Sequence, residues 1–383
     1  MHLLFAGIAS SFCILEFVGS HAPGVLPVGL LQYREELIGG NQAPPDFLEH
    51  LQTSPWVKLK PNTRVRTVGY GGGDFTADWI TNSLGFKNLP NLAEISHVTA
   101  IAVGDSFVEG MGAAIPDVWT TLLTERGLTT YNLGVQGYAP QQLVGSLNLY
   151  GERFHPDFVI IGYTPGFEGL ALVYANGKPD KGYAGGVGSM DQYVSERRRM
   201  AEHYKVTNAF FDLVSNAYQI ARVKLAAWWS DARAVPVIER YRPEVEYRMT
   251  KRFDPESEAW RLAKKSILEL KKLALKMGAT PAVLIFSQRG AVYYEKLMGR
   301  PIPDSHYEMT MRRELKSFCI ANGIESVDTL DSLKSYLRTL PESVEAVELP
   351  YWETDAHLSR TGNRIVADTV EKYLRTKIAS AGF

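Results

Sequence analysis

The sequence has little cysteine and no excess of charge of either sign. Its 383 residues include two cysteines, Cys13 and Cys319, and the formal net charge is −1. Because Cys13 lies in an apolar stretch and Cys319 in a helical pattern, we predict no structural disulfide. A near-neutral chain lacks the sequence-wide basic footprint of a nucleic-acid-binding protein, and the local run Arg197-Arg198-Arg199 is more simply a solvated helix face, so we expect no nucleic-acid partner.

Metal-binding spacings, internal repeats and low-complexity tracts are also missing. The eight histidines show no His-x-x-x-His or related spacing, which argues against a metal-assisted hydrolase and gives no reason to expect a cofactor. Apolar residues make up 45% of the chain and charged residues 22%, a balance typical of globular proteins rather than disordered ones.

The chain begins with a short apolar run that has no basic segment before it. Residues 3–15 are apolar or small, Glu16 interrupts the run, and only His2 precedes it. This length suits the core of a signal peptide better than a full membrane span of about 20 residues. We expect residues 1–22 to be a signal or membrane anchor and the protein to act on the periplasmic or extracellular side. The alternative is a buried helix of the folded domain.

Residues 23–96 are rich in proline, glycine and asparagine and contain only short apolar stretches. This composition predicts a linker followed by a small β-rich lead-in, with strands at 65–70 and 75–80 around a Gly-Gly-Gly turn.

From residue 97 to residue 383, strand and helix patterns alternate. The run from Val98 to Val103 is continuously apolar, which is typical of a strand covered on both faces. Further strands are predicted at 131–135, 157–161, 281–286 and 324–327, and helices at 116–126, 141–153, 256–277 and 361–377. The alternation predicts one α/β domain with a parallel sheet of about five strands.

The stretch between the third and fourth strands is longer than one crossover needs. Its helix at 256–277 can be that crossover. A second helical pattern at 208–229 belongs to an insertion, residues 170–255, which we expect to cap the site or to bind a partner.

A serine follows the first strand directly, in Gly104-Asp105-Ser106-Phe107-Val108-Glu109-Gly110. Open α/β sheets bind their ligands at the carboxyl ends of the strands. A serine hydroxyl there becomes an effective nucleophile if a base lies nearby. The alternative interpretation is that Ser106 is only a helix N-cap.

A candidate base lies between the fifth strand and the last helix, in Thr354-Asp355-Ala356-His357-Leu358. Asp355 can hold the imidazole of His357 in the tautomer whose other nitrogen takes the serine proton. An Asp-x-His sequence alone is weak, but here it falls at the same edge of the sheet as Ser106. The order Ser…Asp-x-His therefore predicts a catalytic triad with Ser106 as nucleophile, His357 as base and Asp355 as its orienter.

The second strand ends in a glycine-rich turn, Asn132-Leu133-Gly134-Val135-Gln136-Gly137. The backbone N–H groups of Ser106 and Gly137 can point together at a developing oxyanion. Alternatively the glycines only make a tight turn, and both interpretations can hold at once.

These motifs resemble a known family. Gly104-Asp105-Ser106-Phe107, Gly137 and Asp355-Ala356-His357-Leu358 look like the first, second and last sequence blocks of the SGNH/GDSL hydrolase superfamily, in the same order. Thr81-Asn82-Ser83-Leu84-Gly85-Phe86 resembles the Asn-x-x-Gly-Phe lead-in of membrane-anchored bacterial members. The resemblance covers about residues 80–170 and 280–380. It implies a flavodoxin-like three-layer α/β/α sandwich and a serine esterase with the triad named above.

The sequence departs from the family pattern at two places. One residue separates Asp355 from His357, where many members have two. After the third strand, Phe167 stands where members usually have an asparagine that donates to the oxyanion. Loss of one such donor typically costs about 3–4 kcal/mol in the transition state. Three interpretations stay open: a slow enzyme, one in which Thr164 is the substitute donor, or an inactive relative. Asp105, Thr164 and Phe167 are therefore candidate site-lining residues.

The predicted function is a serine esterase that hydrolyses or transfers acyl groups through an acyl-serine. The resemblance favours acetyl esters on a carbohydrate or cell-envelope substrate. An O-acyltransferase with the same triad is the near alternative, because both reactions pass through the same intermediate. A non-catalytic carbohydrate-binding or scaffold relative is the alternative from another class, in which Phe167 stacks on a sugar ring.

Overall fold

The computed structural model describes residues 40–42, 48–69, 75–174, 237–249, 251–341, 348–353 and 355–381. The predicted signal or anchor at 1–22 and the predicted helix at 208–229 lie outside these ranges, as do Cys13 and Thr354. None of the helices in these ranges combines the length and the apolar character that a membrane span requires.

The lead-in is β-rich, as predicted. Its strands within the described ranges are β1 (Gly40–Gln42), β2 (Leu48–His50), β3 (Val57–Leu59), β4 (Arg64–Val68) and β5 (Thr76–Ile80). Strands β1, β4 and β5 form one antiparallel sheet, and β2 pairs with β3. Ala77 and Trp79 are buried while their neighbours in β5 are exposed, so this small sheet turns one face to the protein.

The central sheet contains the five strands predicted from the apolar runs. They are β6 (Ala100–Val103), β7 (Thr130–Asn132), β8 (Phe158–Tyr163), β9 (Thr280–Ile285) and β10 (Glu325–Asp328). All pairings are parallel, and the spatial order is β7-β6-β8-β9-β10. This is the flavodoxin-like order, in which the chain leaves β6 to one side and returns to its other side with β8. The topological switch point is therefore at the carboxyl end of β6, where such sheets bind ligands.

Helices flank the sheet throughout the described part of the chain. They are α1 (Ser106–Glu109), α2 (Trp119–Glu125), α3 (Pro140–Tyr150), α4 (Phe167–Leu170), α5 (Arg242–Arg248), α6 (Glu258–Lys276), α7 (Arg289–Met298), α8 (Tyr307–Ala321), α9 (Leu330–Thr339) and α10 (Arg360–Ala381). The helices predicted at 116–126, 141–153, 256–277 and 361–377 correspond to α2, α3, α6 and α10.

The core is divided into two layers by the alternation of side chains along the strands. Ala100 and Ala102 of β6 face a buried cluster shared with α2, α7, α9 and α10. Ile101 and Val103 face the opposite cluster, shared with α3, α6 and α8. Because successive strand residues point to opposite faces, β6 is buried on both sides. The predicted three-layer α/β/α sandwich is confirmed.

Helix α6 shows how the longest helical pattern is delimited. The hydroxyl of Ser257 accepts a hydrogen bond from the backbone N–H of Trp260 at 3.3 Å and so caps the amino end. Trp260 is buried and meets the ring of Tyr163, the last residue of β8, edge-on at 6.1 Å. Helix α6 thus packs against the carboxyl end of β8, which is the neighbour of β6 in the sheet.

Candidate active site

Ser106 is placed by a sharp connection between β6 and α1. The side chain of Asp105, not that of Ser106, caps the helix, because its Oδ1 accepts from the backbone N–H of Phe107 at 3.0 Å. Ser106 is the first helical residue, and its hydroxyl is left for another partner. The interpretation of Ser106 as a mere N-cap is therefore wrong.

The three predicted triad residues meet. His357 Nε2 lies 2.7 Å from Ser106 Oγ, and His357 Nδ1 hydrogen-bonds to Asp355 Oδ1. The same carboxylate oxygen accepts the backbone N–H of His357 at 2.8 Å. The His357 side chain is 19% exposed and that of Asp355 only 5%, so a substrate can reach the base but not its orienter.

The loop that carries His357 is fixed on both sides. The imidazole packs on the ring of Phe107 with centroids 5.1 Å apart. Arg289, the first residue of α7, donates to the backbone carbonyls of Trp352 at 2.8 Å and Asp355 at 3.2 Å. These contacts limit the freedom of the imidazole before any substrate binds, which is the preorganisation that general base catalysis requires.

Asp355 stays ionised in this setting. Burial disfavours its charged form, but the hydrogen bonds and the proximity of His357 outweigh burial and hold the pKa of Asp355 below its ordinary value. An ionised Asp355 accepts the proton on Nδ1 of His357. The neutral ring then presents an unprotonated Nε2 to the Ser106 hydroxyl.

The predicted oxyanion donors lie on two adjoining turns, the nucleophile turn at residues 104–110 and the oxyanion turn at residues 132–137. A Cβ on Gly134 would lie 2.4 Å from the backbone nitrogen of Glu109, so only glycine allows the second turn to approach α1 this closely. Gly137 has a φ of +75°, in the left-handed region. Among the described residues, the backbone N–H groups of Ser106 and Gly137 have no hydrogen-bond acceptor. Both are free to donate to a substrate oxygen.

Two of the three candidate lining residues form a buried pair. The Thr164 hydroxyl donates to Asp105 Oδ1 at 3.2 Å. Its single proton is therefore directed at Asp105 rather than at an oxyanion. Burial raises the pKa of Asp105, which lies directly before the nucleophile.

Phe167 lies in the core. Its ring is 4% exposed and meets Tyr163 edge-on at 5.6 Å, within the cluster shared with α3, α6 and α8. The hypothesis that Phe167 lines the site and stacks on a sugar ring finds no support in this placement. The side chain acts as packing under the carboxyl end of β8.

The sequence did not reveal two buried titratable residues at these turns, Lys87 and Glu109, each of which opposes the effect of burial on the pKa of the other. The Lys87 ammonium donates to the carbonyls of Gly110 at 2.9 Å and Ala113 at 2.6 Å. Burial lowers the pKa of Lys87 to about 8, although nearby Glu109 opposes this effect. Burial likewise raises the pKa of Glu109, and one of its oxygens accepts the backbone N–H of Gln136 at 2.9 Å. Glu109 therefore ties the nucleophile turn to the residue before Gly137.

Asn132 makes a second tie between the same turns. Its amide nitrogen donates to the carbonyl of Val108 at 2.7 Å, and its amide oxygen accepts the N–H of Gly134 at 2.8 Å. Only their positions in the sequence could have pointed to these three residues. Lys87 directly follows the Gly-Phe lead-in, Glu109 lies three residues after Ser106, and Asn132 ends β7. In the part of the chain that the structure describes, no three His, Cys, Asp or Glu residues cluster as metal ligands would.

Comparison with known proteins gives matches at the level of structure. No protein-family model matches the sequence, and the search of curated proteins found no match. Among solved structures, the chain resembles a GDSL-like lipase from Bacteroides thetaiotaomicron, with a TM-score of 0.33 and 11% identity over 73% of this chain and 88% of that one. It also resembles an acetyl xylan esterase, with a TM-score of 0.36 and 13% identity over 72% and 98%.

A further match is an alpha/beta hydrolase enzyme from the metagenome of Lake Arreo, Spain, with a TM-score of 0.38 and 11% identity over 73% of this chain and 96% of that one. At these identities and TM-scores the matches carry no chemistry over to this chain, and what the site can do follows from the geometry around Ser106.

Proposed function

We propose that the protein is a serine hydrolase that cleaves acyl esters, or transfers their acyl groups, through an acyl-serine intermediate. The observation that carries the proposal is the 2.7 Å contact between Ser106 Oγ and His357 Nε2, with the imidazole held by Asp355. A nucleophile and a base within hydrogen-bond reach, with the base oriented by a third group, are the arrangement that nucleophilic catalysis requires.

The first half of the reaction forms the acyl-serine. His357 takes the proton from Ser106 as Oγ attacks the ester carbonyl, and the negative charge develops on the carbonyl oxygen. The N–H groups of Ser106 and Gly137 donate to that oxygen. The intermediate then collapses as His357 passes its proton to the departing alcohol.

The second half regenerates the enzyme. Water, or the hydroxyl of an acceptor, loses a proton to His357 and attacks the acyl carbon, and Ser106 recovers its proton. Hydrolysis and transfer differ only in this nucleophile. We propose hydrolysis of acetyl esters on a carbohydrate or cell-envelope substrate, on the basis of the sequence motifs, with O-acyl transfer as the alternative.

We also propose that the reaction takes place outside the cytoplasm, because the apolar run at residues 3–15 has the length of a signal-peptide core. Fractionation of cells that produce the full chain tests this part. Recovery of all the protein in the cytoplasmic fraction would contradict it.

The test of the chemistry is hydrolysis of 4-nitrophenyl acetate. We expect Ser106→Ala and His357→Ala each to lower kcat by about 10⁴ or more without loss of fold. Ser332→Ala, a serine on α9 whose hydroxyl accepts from Thr369, is the matched control and should keep full activity. Activity that survives both triad substitutions would refute the assignment and leave the scaffold alternative.

A further inference from the structure

A cavity opens at the edge of the sheet that carries the triad. Its volume is about 280 Å³, and it is lined from the ends of β8 and β9, the end of α5 and the start of α8. Pro165 and Gly166 on its wall directly follow Thr164, whose hydroxyl reaches Asp105 next to the nucleophile. The amide nitrogen of Gln288 donates to the carbonyl of Pro165 at 2.6 Å and joins the two strand ends.

Most of the charge that lines this cavity is positive. Arg248, Lys251 and Arg252 contribute cations, and Glu308 is the one carboxylate among the lining residues. Glu308 is buried, and its Oε1 lies 2.6 Å from Nη2 of Arg312, which does not line the cavity. This ion pair compensates the charge of Glu308. Arg248 is paired with Glu244 at 2.8 Å, but Arg252 forms no ion pair within the described ranges.

His306 adds an uncharged donor to the same wall. It is only 3% exposed, and its Nδ1 accepts the backbone N–H of Glu308 at 3.2 Å. Burial, Arg248 and Arg252 lower the pKa of His306 to about 4, so the ring is neutral at pH 7. Since Nδ1 is an acceptor, the proton is on Nε2, which has no partner among the described residues.

We infer that this cavity binds an oxyanion, a carboxylate or phosphate group carried by the acylated substrate. The inference rests on the proposed function in that it places this group next to the ester cleaved at Ser106. Arg252 supplies an uncompensated guanidinium, Arg248 a second one, and His306 an N–H donor. Planar guanidinium groups suit the oxygens of carboxylates and phosphates, and charge-assisted hydrogen bonds to them are strong. A neutral sugar in the same place would leave the Arg252 charge without a counterion.

Binding tests the inference without any need for turnover. The probes are glucose, glucuronate and glucose 6-phosphate, titrated calorimetrically into the full chain at constant ionic strength. We expect one or both anionic sugars to bind about tenfold or more tightly than glucose, because a hydrogen bond to a charged group is worth that much. Comparison of glucuronate with glucose 6-phosphate identifies which oxyanion the cavity takes.

Variants separate this site from general charge effects. Arg252→Gln and His306→Gln should each lower the affinity for the preferred anion, and Arg261→Gln on the exposed face of α6 should not. Equal binding of all three sugars, or a preference that survives both substitutions, would overturn the inference. Anion binding without hydrolysis of any acetylated probe would sink the proposed function but leave the cavity assignment standing. Hydrolysis of acetylated glucose and glucuronate without any binding preference would overturn the cavity assignment but leave the proposed function standing.

Discussion

At the scale of single residues, the triad combines a partly exposed base, His357, with a buried orienter, Asp355. Replacing Asp355 by Asn keeps an oxygen for the backbone N–H of His357 but presents the imidazole with an amide. The ring can then take the wrong tautomer, with its proton on Nε2, which cannot accept from Ser106. We expect kcat to fall about 10⁴-fold with little change in KM. Steady-state kinetics on 4-nitrophenyl acetate measure both, and a fall in KM alone would contradict the role given to Asp355.

Phe167 is expected to stabilise the fold and not to take part in the chemistry. Its ring is buried against Tyr163, so Phe167→Asn removes core packing and leaves a polar amide in its place. We expect a loss of about 3 kcal/mol or more in the free energy of unfolding and no gain in turnover. Urea denaturation and kcat together measure this. A variant of wild-type stability with faster turnover would mean that the amide reaches the oxyanion.

The triad could be predicted from sequence because each member lies at a strand end and in a recognisable order. Lys87, Glu109 and Asn132 could not, because a single buried polar residue leaves no periodic signal. Their partners are backbone carbonyls and N–H groups that only the folded turns bring together. The burial of Phe167 was missed for a related reason: alignment to a motif gives its position in the chain but not the direction of its side chain.

At the scale of elements, the nucleophile turn and the oxyanion turn are held together by buried charge. Lys87→Met or Glu109→Gln alone removes a charge that favours the charged form of the other group and leaves backbone partners unpaired, which typically costs about 1–3 kcal/mol. The double variant removes both charges. We therefore expect it to be more stable than the sum of the single losses predicts, as denaturation in a double-mutant cycle will measure. Additive losses would show that the two groups do not act on each other.

The strands were the elements best predicted from the sequence, because a run buried on both faces is apolar throughout. The spatial order of the sheet followed from the family resemblance and not from periodicity, since nothing in β6 or β8 alone specifies its neighbour. Helix α1 was not predicted as a helix. It is four residues long, and Asp105 caps it by a contact that a hydrophobic pattern does not contain.

At the scale of the whole molecule, His306 makes stability depend on pH. Its pKa is about 4 in the folded protein against an ordinary value of 6.5, so the unfolded chain binds a proton between these values that the folded protein excludes. The contribution of His306 to the free energy of unfolding is therefore fully present above pH 6.5 and is lost as the pH is lowered towards 4, by up to about 3 kcal/mol.

Chemical denaturation at a series of pH values measures this slope. His306→Gln has no titrating ring, so its free energy of unfolding should change less between pH 6.5 and pH 4 than that of the wild type. Equal slopes in the two proteins would show that folding does not lower the pKa of His306.

Covalent labelling tests most directly whether the fold activates Ser106 as a nucleophile. A fluorophosphonate reacts with an activated serine and imitates the tetrahedral intermediate, so the test needs no knowledge of the substrate. We expect one adduct per chain, located on Ser106 by peptide mass spectrometry, absent in Ser106→Ala and much slower to form in His357→Ala. A folded wild-type protein that stays unlabelled at Ser106, or that labels equally fast without His357, would contradict this prediction.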